Sequence, residues 1–577
     1  MEIKPVQTFL KKKFISLLLP GTMTMVVVTF LLLSDSIIAG IALGKDAVAA
    51  ISLVAPAYSA ASFFAGMISI GIPILFSKAM GEFDQKGAER WFSLGFTASI
   101  MTGCILFALL LLFGDRYLLF YEPDQTVFLL AKPYLFWYSW AILLSPLNML
   151  MTEMVLTDGD ETISFAANIA QMAGNLVLSI VLVFFWGIAG IGFASFAGTA
   201  ISLAISCLHF FRPSSSFKPG IYFSFRGLAA AAKYSAIDAS SYLFIGIFTV
   251  IINRFIVSTY GVEMLILVSF ILFIKEFQLV FDGIGEAITP LMNIYLGEET
   301  YQGVDKCYAL AKKTAVIEAL FMLVLFVLLA PLIARIYGVA NSPAAAYATN
   351  GIRIMAFGFV PISLLYLISS YYLLIDRIIL GVAICGMRDA LMAIPICIVC
   401  GKLFGIYGLF FGSALSPLVA YIVTMLYVRL RYGKANWPLL LKEKFDANSS
   451  AFYEFTITPE NVIAIQKQIE GFLTAAGVSK KIVFRCKHLI EDLYMLIYEK
   501  NGSGQKLISA ECTVILRDNA VQIITKDDGV LFNLADEDAN AVSCLAFVVS
   551  GYMDALKGNK KYLTTMSYNR NTFKVTG

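Results

Sequence analysis

The sequence predicts an all-α polytopic membrane protein with about twelve transmembrane helices in two six-helix repeats, followed by a small cytoplasmic α/β domain. First, 59% of the 577 residues are hydrophobic and 14% are charged, which is too apolar for a soluble globule. Second, a segment of the first half returns later in the chain. Third, apolar spans stop after Tyr432. We therefore predict two six-helix bundles, 1–216 and 217–435, a linker, 436–450, and a C-terminal domain, 451–577.

The first predicted span, Phe14–Leu43, contains a single ionisable residue, Asp35. A run of this length can cross a hydrocarbon core, which needs about 20 helical residues. A carboxylate inside such a helix is costly and usually faces a polar cavity that serves ions or substrate. The alternative is that the span ends near Leu33 and that Asp35 is exposed to water at the membrane interface.

The charges of the connecting loops predict the orientation. By the positive-inside rule, loops rich in Lys and Arg face the cytoplasm. The first apolar run lacks a cleavage site of small residues, so we expect a retained helix. Both termini are therefore predicted to be cytoplasmic in a multi-pass cell-membrane protein. The loops that carry the positive charge follow the even-numbered spans and include Lys78, Lys86, Arg90, Arg212, Lys218, Arg226, Lys306, Lys312, Lys313, Arg429, Arg431 and Lys434.

Several functional classes are disfavoured. A net charge of +3 without a basic patch argues against a nucleic-acid partner. Cys397 and Cys400 form a C-x-x-C inside an apolar run, with no second pair or nearby His, so packed free thiols are expected and no metal site. No phosphate-binding G-x-x-x-x-G-K-[ST] motif occurs, which argues against an ATP-driven pump. We therefore predict no enzyme.

Two landmarks indicate an internal duplication. The segment Trp186–Gly198, WGIAGIGFASFAG, returns 218 residues later as Phe404–Ser416, FGIYGLFFGSALS, so that Ser195 falls on Ser413. The end of the second span, Pro73 then Gly81-Glu82, returns as Pro290 then Gly297-Glu298. Two halves of six helices insert the same way up, and substrate sites in repeated transporters lie between the halves.

Several motifs in this order resemble one transporter family: Asp35 followed by Gly40, then DAVAAISLVAP, GEFDQKGAERWF, TDGDETISFAANIAQMAGNLVLS and WGIAGIGFAS. The chain is similar over residues 10–432 to the multidrug and toxic compound extrusion (MATE) family of cation-coupled antiporters. The resemblance implies two bundles around a V-shaped cavity and export of small organic, often cationic, compounds in exchange for Na+ or H+.

The resemblance also implies a cation-coupling site in the first half. The family's first-helix Asp is Asp35 here, and its fifth-helix Asn is Asn175. Ser179 stands where the family has a second acid, and Ser195 matches its sixth-helix Thr. One acid with hydroxyl and amide oxygens makes a weaker Na+ site than two, so the coupling ion is left open between Na+ and H+.

The eighth span carries further polar residues. Lys275, Asp282 and Glu286 recur at helical spacing, and Glu276 lies beside them. Two acids four residues apart compete for ionisation, so they could release protons or attract cationic substrates. The alternative is a structural stripe in which Lys275 neutralises an acid.

Two further positions inside spans carry charge. Asp238 in the seventh span is another candidate for the substrate or proton site. Arg388 and Asp389 lie inside the eleventh span, and we expect them to pair across helices, because adjacent residues do not face each other on an α-helix.

The C-terminal domain resembles the ATP-binding fold shared by gyrase, histidine kinases and anti-sigma-factor kinases. Glu491 matches the metal-binding acid of that fold, and Asp527 with Gly529 matches its adenine-binding D-x-G. Met495 replaces the expected Asn, however, and ANAVSCLAF, residues 539–547, replaces the glycine-rich lid. A degenerate regulatory or interaction module is expected, with a nucleotide or a regulatory protein as its partner.

Together these observations predict a secondary antiporter that exports small organic, cationic compounds by alternating access, with membrane lipid as a further partner and no cofactor besides the coupling ion. Two alternatives remain at this point. A flippase for a lipid-linked substrate would have the same helices but a more basic cavity. A membrane sensor would use the C-terminal domain as its output.

Overall fold

The computed structural model describes residues 8–81, 84–158, 160–211, 218, 220–261, 264–336, 344–434, 437–441, 449–502, 506–517, 520–530, 557–559 and 568–576. Long apolar helices fill the part before Tyr432. The helices of this membrane part are α1 Phe9–Ala42, α2 Lys45–Ser69, α3 Gly71–Gly81, α4 Gln85–Leu119, α5 Gln125–Thr157, α6 Glu161–Trp186, α7 Ile188–Cys207, α8 Phe225–Tyr260, α9 Ile266–Phe277, α10 Asp282–Gly297, α11 Tyr301–Ile336, α12 Ala344–Ala356, α13 Phe359–Leu374, α14 Ile378–Gly386 and α15 Ala393–Tyr432.

Within the described residues, eight helices are long and apolar enough to cross a membrane, or nine if the bent pair α12 and α13 is one span. One of the eight, Ile378–Tyr432, is 55 residues long and turns sharply at Gly405, whose φ of 66° is non-helical. It therefore supplies two spans. With α1, and with α9 and α10 joined across a short break, the predicted twelve-helix architecture is confirmed.

Side-chain caps fix the starts of several helices in the membrane part. The first backbone N–H groups of a helix have no partner within the helix, and a preceding Asp or Ser can accept from them. Asp84 accepts from Gly87 N at 2.9 Å, and Asp160 accepts from Ile163 N at 3.3 Å. Ser224 does the same for α8.

Most of the membrane part forms one compact unit, Met23–Gly283 with Ala315–Thr424. Its core is built from aliphatic and aromatic side chains such as Leu53, Ile252 and Phe410, all fully buried. Two irregular turns interrupt its helices: a 3-10 turn at Gln278–Phe281 between α9 and α10, and a π turn at Met387–Leu391 between α14 and α15.

The π turn overturns one expectation about charge pairing. Arg388 and Asp389 pair with each other, not across helices, with Nε to Oδ1 at 2.9 Å and Nη2 to Oδ2 at 2.7 Å. The wider π turn and the long arginine side chain allow adjacent residues to meet. The guanidinium also packs over the ring of Tyr366 and donates to Ser241.

The second unit comprises Met1–Thr22, Ile284–Thr314 and Met425–Gly577, so the C-terminal domain groups with the adjoining ends of α1, α10 and α11. Its elements are β1 Ser450–Thr456, α16 Pro459–Ala475, α17 Lys480–Lys500, β2 Ser509–Arg517, β3 Ala520–Asp527, β4 Lys557–Asn559 and β5 Asn569–Thr576. The antiparallel sheet has the strand order β1-β2-β3-β5-β4. Helices α16 and α17 cover one face of the sheet, where Ile469 and Leu493 share a core with Ile523 of β3.

Candidate functional site

A buried carboxylate lies at the centre of the first candidate site. Asp35, on α1, is 7% exposed. Its Oδ2 accepts hydrogen bonds from Tyr134 Oη at 2.8 Å and from Ser195 Oγ at 2.7 Å. Its Oδ1 accepts from Asn175 Nδ2 at 3.3 Å. Four helices of the first half, α1, α5, α6 and α7, thus converge on one acid.

A second layer orients the amide of this site. Ser34 Oγ donates to Asn175 Oδ1 at 2.8 Å, and Asn175 Nδ2 also donates to Ser195 Oγ at 2.9 Å. These bonds direct the Asn175 NH2 group toward Asp35. Ser179, the fourth residue that the family resemblance assigns to this site, is fully buried, but its hydroxyl has no partner among the described residues.

The hydrogen bonds allow Asp35 to gain and lose a proton without leaving an unpaired group. When Asp35 is ionised, Ser195 donates to it. When Asp35 is protonated, Ser195 can turn and accept, and its own proton can then go to the Ile191 carbonyl oxygen, 3.4 Å away. A hydroxyl can donate and accept in this way, whereas an ammonium or guanidinium cannot.

Tyrosine rings extend the site toward Glu276. The ring of Tyr134 stacks on that of Tyr138 at 5.3 Å between centroids, and Tyr138 meets Tyr58 edge to face at 6.3 Å. Glu276, on α9, interacts electrostatically with both Tyr58 and Tyr138. The structure therefore brings Glu276 near the aromatic wall of the Asp35 site.

The other predicted acids do not join this cluster in the described structure. Asp282 accepts from Ser370 Oγ at 3.3 Å. Lys275 makes no ion pair with a carboxylate among the described residues, and its Nζ lies 4.3 Å from the ring centroid of Phe248. The side chains of Asp238 and Glu286 lie outside the described residues.

Two residues of the Asp35 site, Tyr134 and Ser34, and one buried acid in another helix, Glu318, were missed in the sequence. Tyr134 and Ser34 carry no signal of their own, because the chain has 27 tyrosines and serine is frequent within its helices. Glu318, inside α11, was detectable by the same criterion as Asp35, an acid within an apolar run. Both of its carboxylate oxygens are buried without a partner among the described residues.

A second site joins the C-terminal sheet to the ends of α10 and α11. Glu298 is 3% exposed and forms ion pairs with Lys526 Nζ at 2.6 Å and with Arg570 Nε at 2.9 Å. Tyr295 Oη donates to Glu511 Oε1 at 2.6 Å. We call these five residues the docking network. Lys526 and Glu511 lie opposite each other on β3 and β2, and the residues before and after each of them face α16 and α17. Because side chains alternate between the two faces along a strand, the docking network lies on the face away from these helices.

Outer contacts surround the docking network. Lys12 of α1 pairs with Asp528 at 2.9 Å, Lys306 of α11 pairs with Glu454 at 2.8 Å, and the backbone N–H of Phe452 donates to Gln302 Oε1. Burial raises the pKa of Glu511 to about 7, although the ammonium of Lys526 and the Tyr295 hydroxyl act in the opposite direction. The ion pair at the centre of the network is buried, whereas the lysines of the surrounding pairs are partly exposed to solvent.

The predicted nucleotide residues lie on the helix-covered side of the sheet. Asp527 Oδ1 accepts from Gly529 N at 3.0 Å and from Asn569 Nδ2 at 2.9 Å, while its Oδ2 is buried without a partner in the described part of the chain. Glu491 is half exposed and accepts from Gln466 Nε2. Residues 539–547, predicted to replace the lid, lie outside the described residues.

The stability of the C-terminal domain should fall between about pH 4 and pH 7 because of Asp527. Burial raises the pKa of Asp527 from 3.8 to about 7, against the hydrogen bonds from Asn569 and Gly529. The folded state therefore holds a proton that the unfolded state releases in this window. Asp527→Asn should remove up to about 4 kcal/mol of this pH dependence.

Hydrogen exchange of the β3 amides in the full-length protein, corrected for intrinsic rates across pH, measures this effect. Glu499→Gln, an exposed carboxyl change on α17, is the matched control and should keep the native slope. An unchanged slope in the Asp527→Asn protein would contradict the assignment.

The long apolar helices define a multi-pass membrane protein. Residues 20–181 match the MatE family model, and no curated protein matches the chain. On these findings the chain is similar to the MATE family, whose members are transporters rather than enzymes.

Solved structures resemble the membrane part in fold. An inward-facing multidrug resistance MATE family transporter of the MOP superfamily is 16% identical with a TM-score of 0.63, over 70% of this chain and 94% of its own. An outward-facing one is 18% identical, with a TM-score of 0.60 over 74% and 96%. A MOP superfamily transporter from Pyrococcus furiosus, described as having a binding pocket of reversed polarity, is 19% identical, with a TM-score of 0.61 over 73% and 96%.

Proposed function

We propose that this protein is a secondary antiporter that exports organic cations in exchange for protons, with Asp35 as the coupling carboxylate. The observation that carries the proposal is the hydrogen-bond arrangement of Asp35. Its partners are a tyrosine, a serine and an amide, and the two hydroxyls can serve either protonation state.

The same arrangement favours H+ over Na+. A Na+ site presents several oxygen atoms to the ion, and a second carboxylate would strengthen it. Here the three groups that contact Asp35 donate hydrogen bonds to it, and the carbonyl oxygen of Asn175 accepts from Ser34. The hydrogen-bond partners of Asp35 among the described residues are Ser195, Tyr134 and Asn175, and none of them is a carboxylate. Na+ coupling would require these donors to turn away.

The polarity of the surroundings supports a cationic substrate. Asp35 and Glu276 are acids near the tyrosine rings of Tyr58, Tyr134 and Tyr138, and ring faces attract organic cations.

The C-terminal domain is proposed to regulate transport, since the docking network attaches it to the ends of α10 and α11. Both termini are proposed to be cytoplasmic.

Uptake of a fluorescent organic cation into inside-out vesicles tests the proposal. We expect a pH gradient, acidic inside, to drive accumulation, and a Na+ gradient at equal pH to have no effect. Accumulation driven only by Na+ would overturn proton coupling. No accumulation with either gradient, in vesicles shown to contain folded protein, would overturn the export of organic cations.

Ser195→Ala should lower proton-driven uptake by about tenfold or more, because it removes a hydrogen bond to a charged group, worth about 1.5–3 kcal/mol. Ser195→Thr keeps the hydroxyl and should restore most of the activity. Ser258→Ala, which removes an exposed hydroxyl on α8, is the matched control. Native uptake by the Ser195→Ala protein would show that the Ser195 hydroxyl is dispensable.

A further inference from the structure

A small polar cavity lies in the second half of the membrane part, away from Asp35. Every residue that lines it is buried, and it has room for about one water molecule. Its polar wall consists of Lys275, Gln278, Arg388, Ser413 and Ser416, and apolar side chains complete it.

The cavity carries a buried lysine that has no direct ion pair among the described residues. Lys275 is 8% exposed, and no described carboxylate oxygen lies within 4.0 Å of its Nζ. Asp389, which pairs with Arg388, and Glu276 act on Lys275 electrostatically from beyond that distance. A buried ammonium is costly, and a counter-charge in direct contact lowers that cost.

Irregular backbone frames the same cavity. Gln278 lies in the 3-10 turn between α9 and α10, and Arg388 lies in the π turn between α14 and α15. Interrupted helices within a membrane are tolerated where the backbone is covered by protein or lines a polar cavity, and in transporters they commonly form binding sites.

The internal repeat shows that the two halves differ in polarity. Ser195 of the first half and Ser413 of the second half are equivalent positions of the duplicated segment. Ser195 donates to the carboxylate of Asp35, whereas Ser413 lines a cavity shared with the ammonium of Lys275. The second half therefore presents donors and positive charge where the first half presents an acid.

We propose that this cavity binds a small monovalent anion, with Lys275 as its counter-charge and the Gln278 amide, Ser413 and Ser416 as neighbouring donors. The anion is a free halide, since the cavity has room for about one water molecule and every residue that lines it is buried. This site is independent of proton coupling at Asp35 and would stand if that coupling were disproved.

Thermal unfolding of the purified full-length protein in detergent tests the site. At constant ionic strength, replacement of gluconate by chloride should raise the Tm of the native protein by a few degrees, in a saturable manner. Formate in place of chloride is the size control and should give a smaller rise. No chloride-dependent rise, or an equal rise with formate, would overturn the proposal.

Two variants locate the effect. Lys275→Met, an apolar side chain of similar length, should abolish the anion-dependent rise, whereas Lys275→Arg should retain it in part. Lys132→Met, which removes an exposed lysine paired with Asp115 at the surface, is the matched control and should leave the rise unchanged. A full rise in the Lys275→Met protein would place the anion elsewhere.

Discussion

Asp35→Asn is expected to reduce proton-driven accumulation of an organic cation to the level of empty vesicles. The amide keeps the size of the carboxyl group and can still accept from Tyr134 or Ser195, so the fold should survive. It cannot take up and release a proton at physiological pH, so the cycle loses its coupling step. The measurement is initial uptake under an imposed pH gradient, alongside equilibrium binding of the same compound.

Asp115→Asn is the matched control for this change. Asp115 is exposed and pairs only with Lys132 in the described part of the chain, and its loss should leave uptake and binding unchanged. We expect the Asp35→Asn protein to bind its substrate but not to accumulate it. If it accumulates the substrate as the native protein does, Asp35 is not the coupling acid, and Glu276 and Glu318 become the next positions to replace.

Glu298→Ala is expected to release the C-terminal sheet from the ends of α10 and α11. The substitution leaves Lys526 buried with only the longer contact to Glu511, at 3.5 Å, and removes one partner of Arg570. Removal of one partner from a buried ion pair costs about 3–5 kcal/mol, because the remaining charge is desolvated without compensation. The amides of β2 and β3 should therefore exchange faster by two or more orders of magnitude.

The neighbouring residue supplies the control. Glu299 pairs with Arg517 at 2.7 Å, but both side chains are about half exposed, and such surface pairs contribute about 0–1 kcal/mol. Glu299→Ala should leave the exchange of β2 and β3 nearly native. Equal effects of the two substitutions would mean that the docking network contributes no more than a surface pair.

Combining the substitutions separates docking from general instability. Lys526→Met together with Glu298→Met replaces the buried pair by apolar side chains, which is often neutral for stability. The double variant should be more protected than the Glu298→Ala protein if the cost arises from the unpaired charge. A double variant that is as labile as Glu298→Ala would assign the loss to packing around Arg570 and Tyr295.

The sequence allowed the membrane architecture and part of the first site to be predicted. Hydropathy and the repeated segment predict the helices, since spanning a membrane imposes length and composition on each one. Asp35 was selected as an acid within an apolar run, Asn175 and Ser195 were selected by a family resemblance, and the structure brings the three within hydrogen-bond distance. Tyr134 was not selected, because an aromatic residue inside an apolar helix is ordinary and nothing local reveals its hydroxyl partner.

The remaining features depend on contacts between distant parts of the chain. Helical spacing suggested that Lys275 and the nearby acids form one stripe, but a 3-10 turn changes the register between them. Arg388 and Asp389 pair because they lie in a π turn, and the local sequence contains no pattern that predicts this turn. Glu298 appeared only as a landmark of the repeat, because its partners lie 228 and 272 residues further along the chain.

The long sequence separation of the docking network has a consequence for biogenesis. The ribosome makes Glu298 well before Lys526 and Arg570, and at about 5–20 residues per second the interval to Arg570 is on the order of half a minute. Throughout that time the acid at the end of α10 has neither cationic partner and must remain hydrated. The connection between α10 and α11 therefore reaches its final form only after the last β-strand has been synthesised, so the membrane helices insert before the docking network exists.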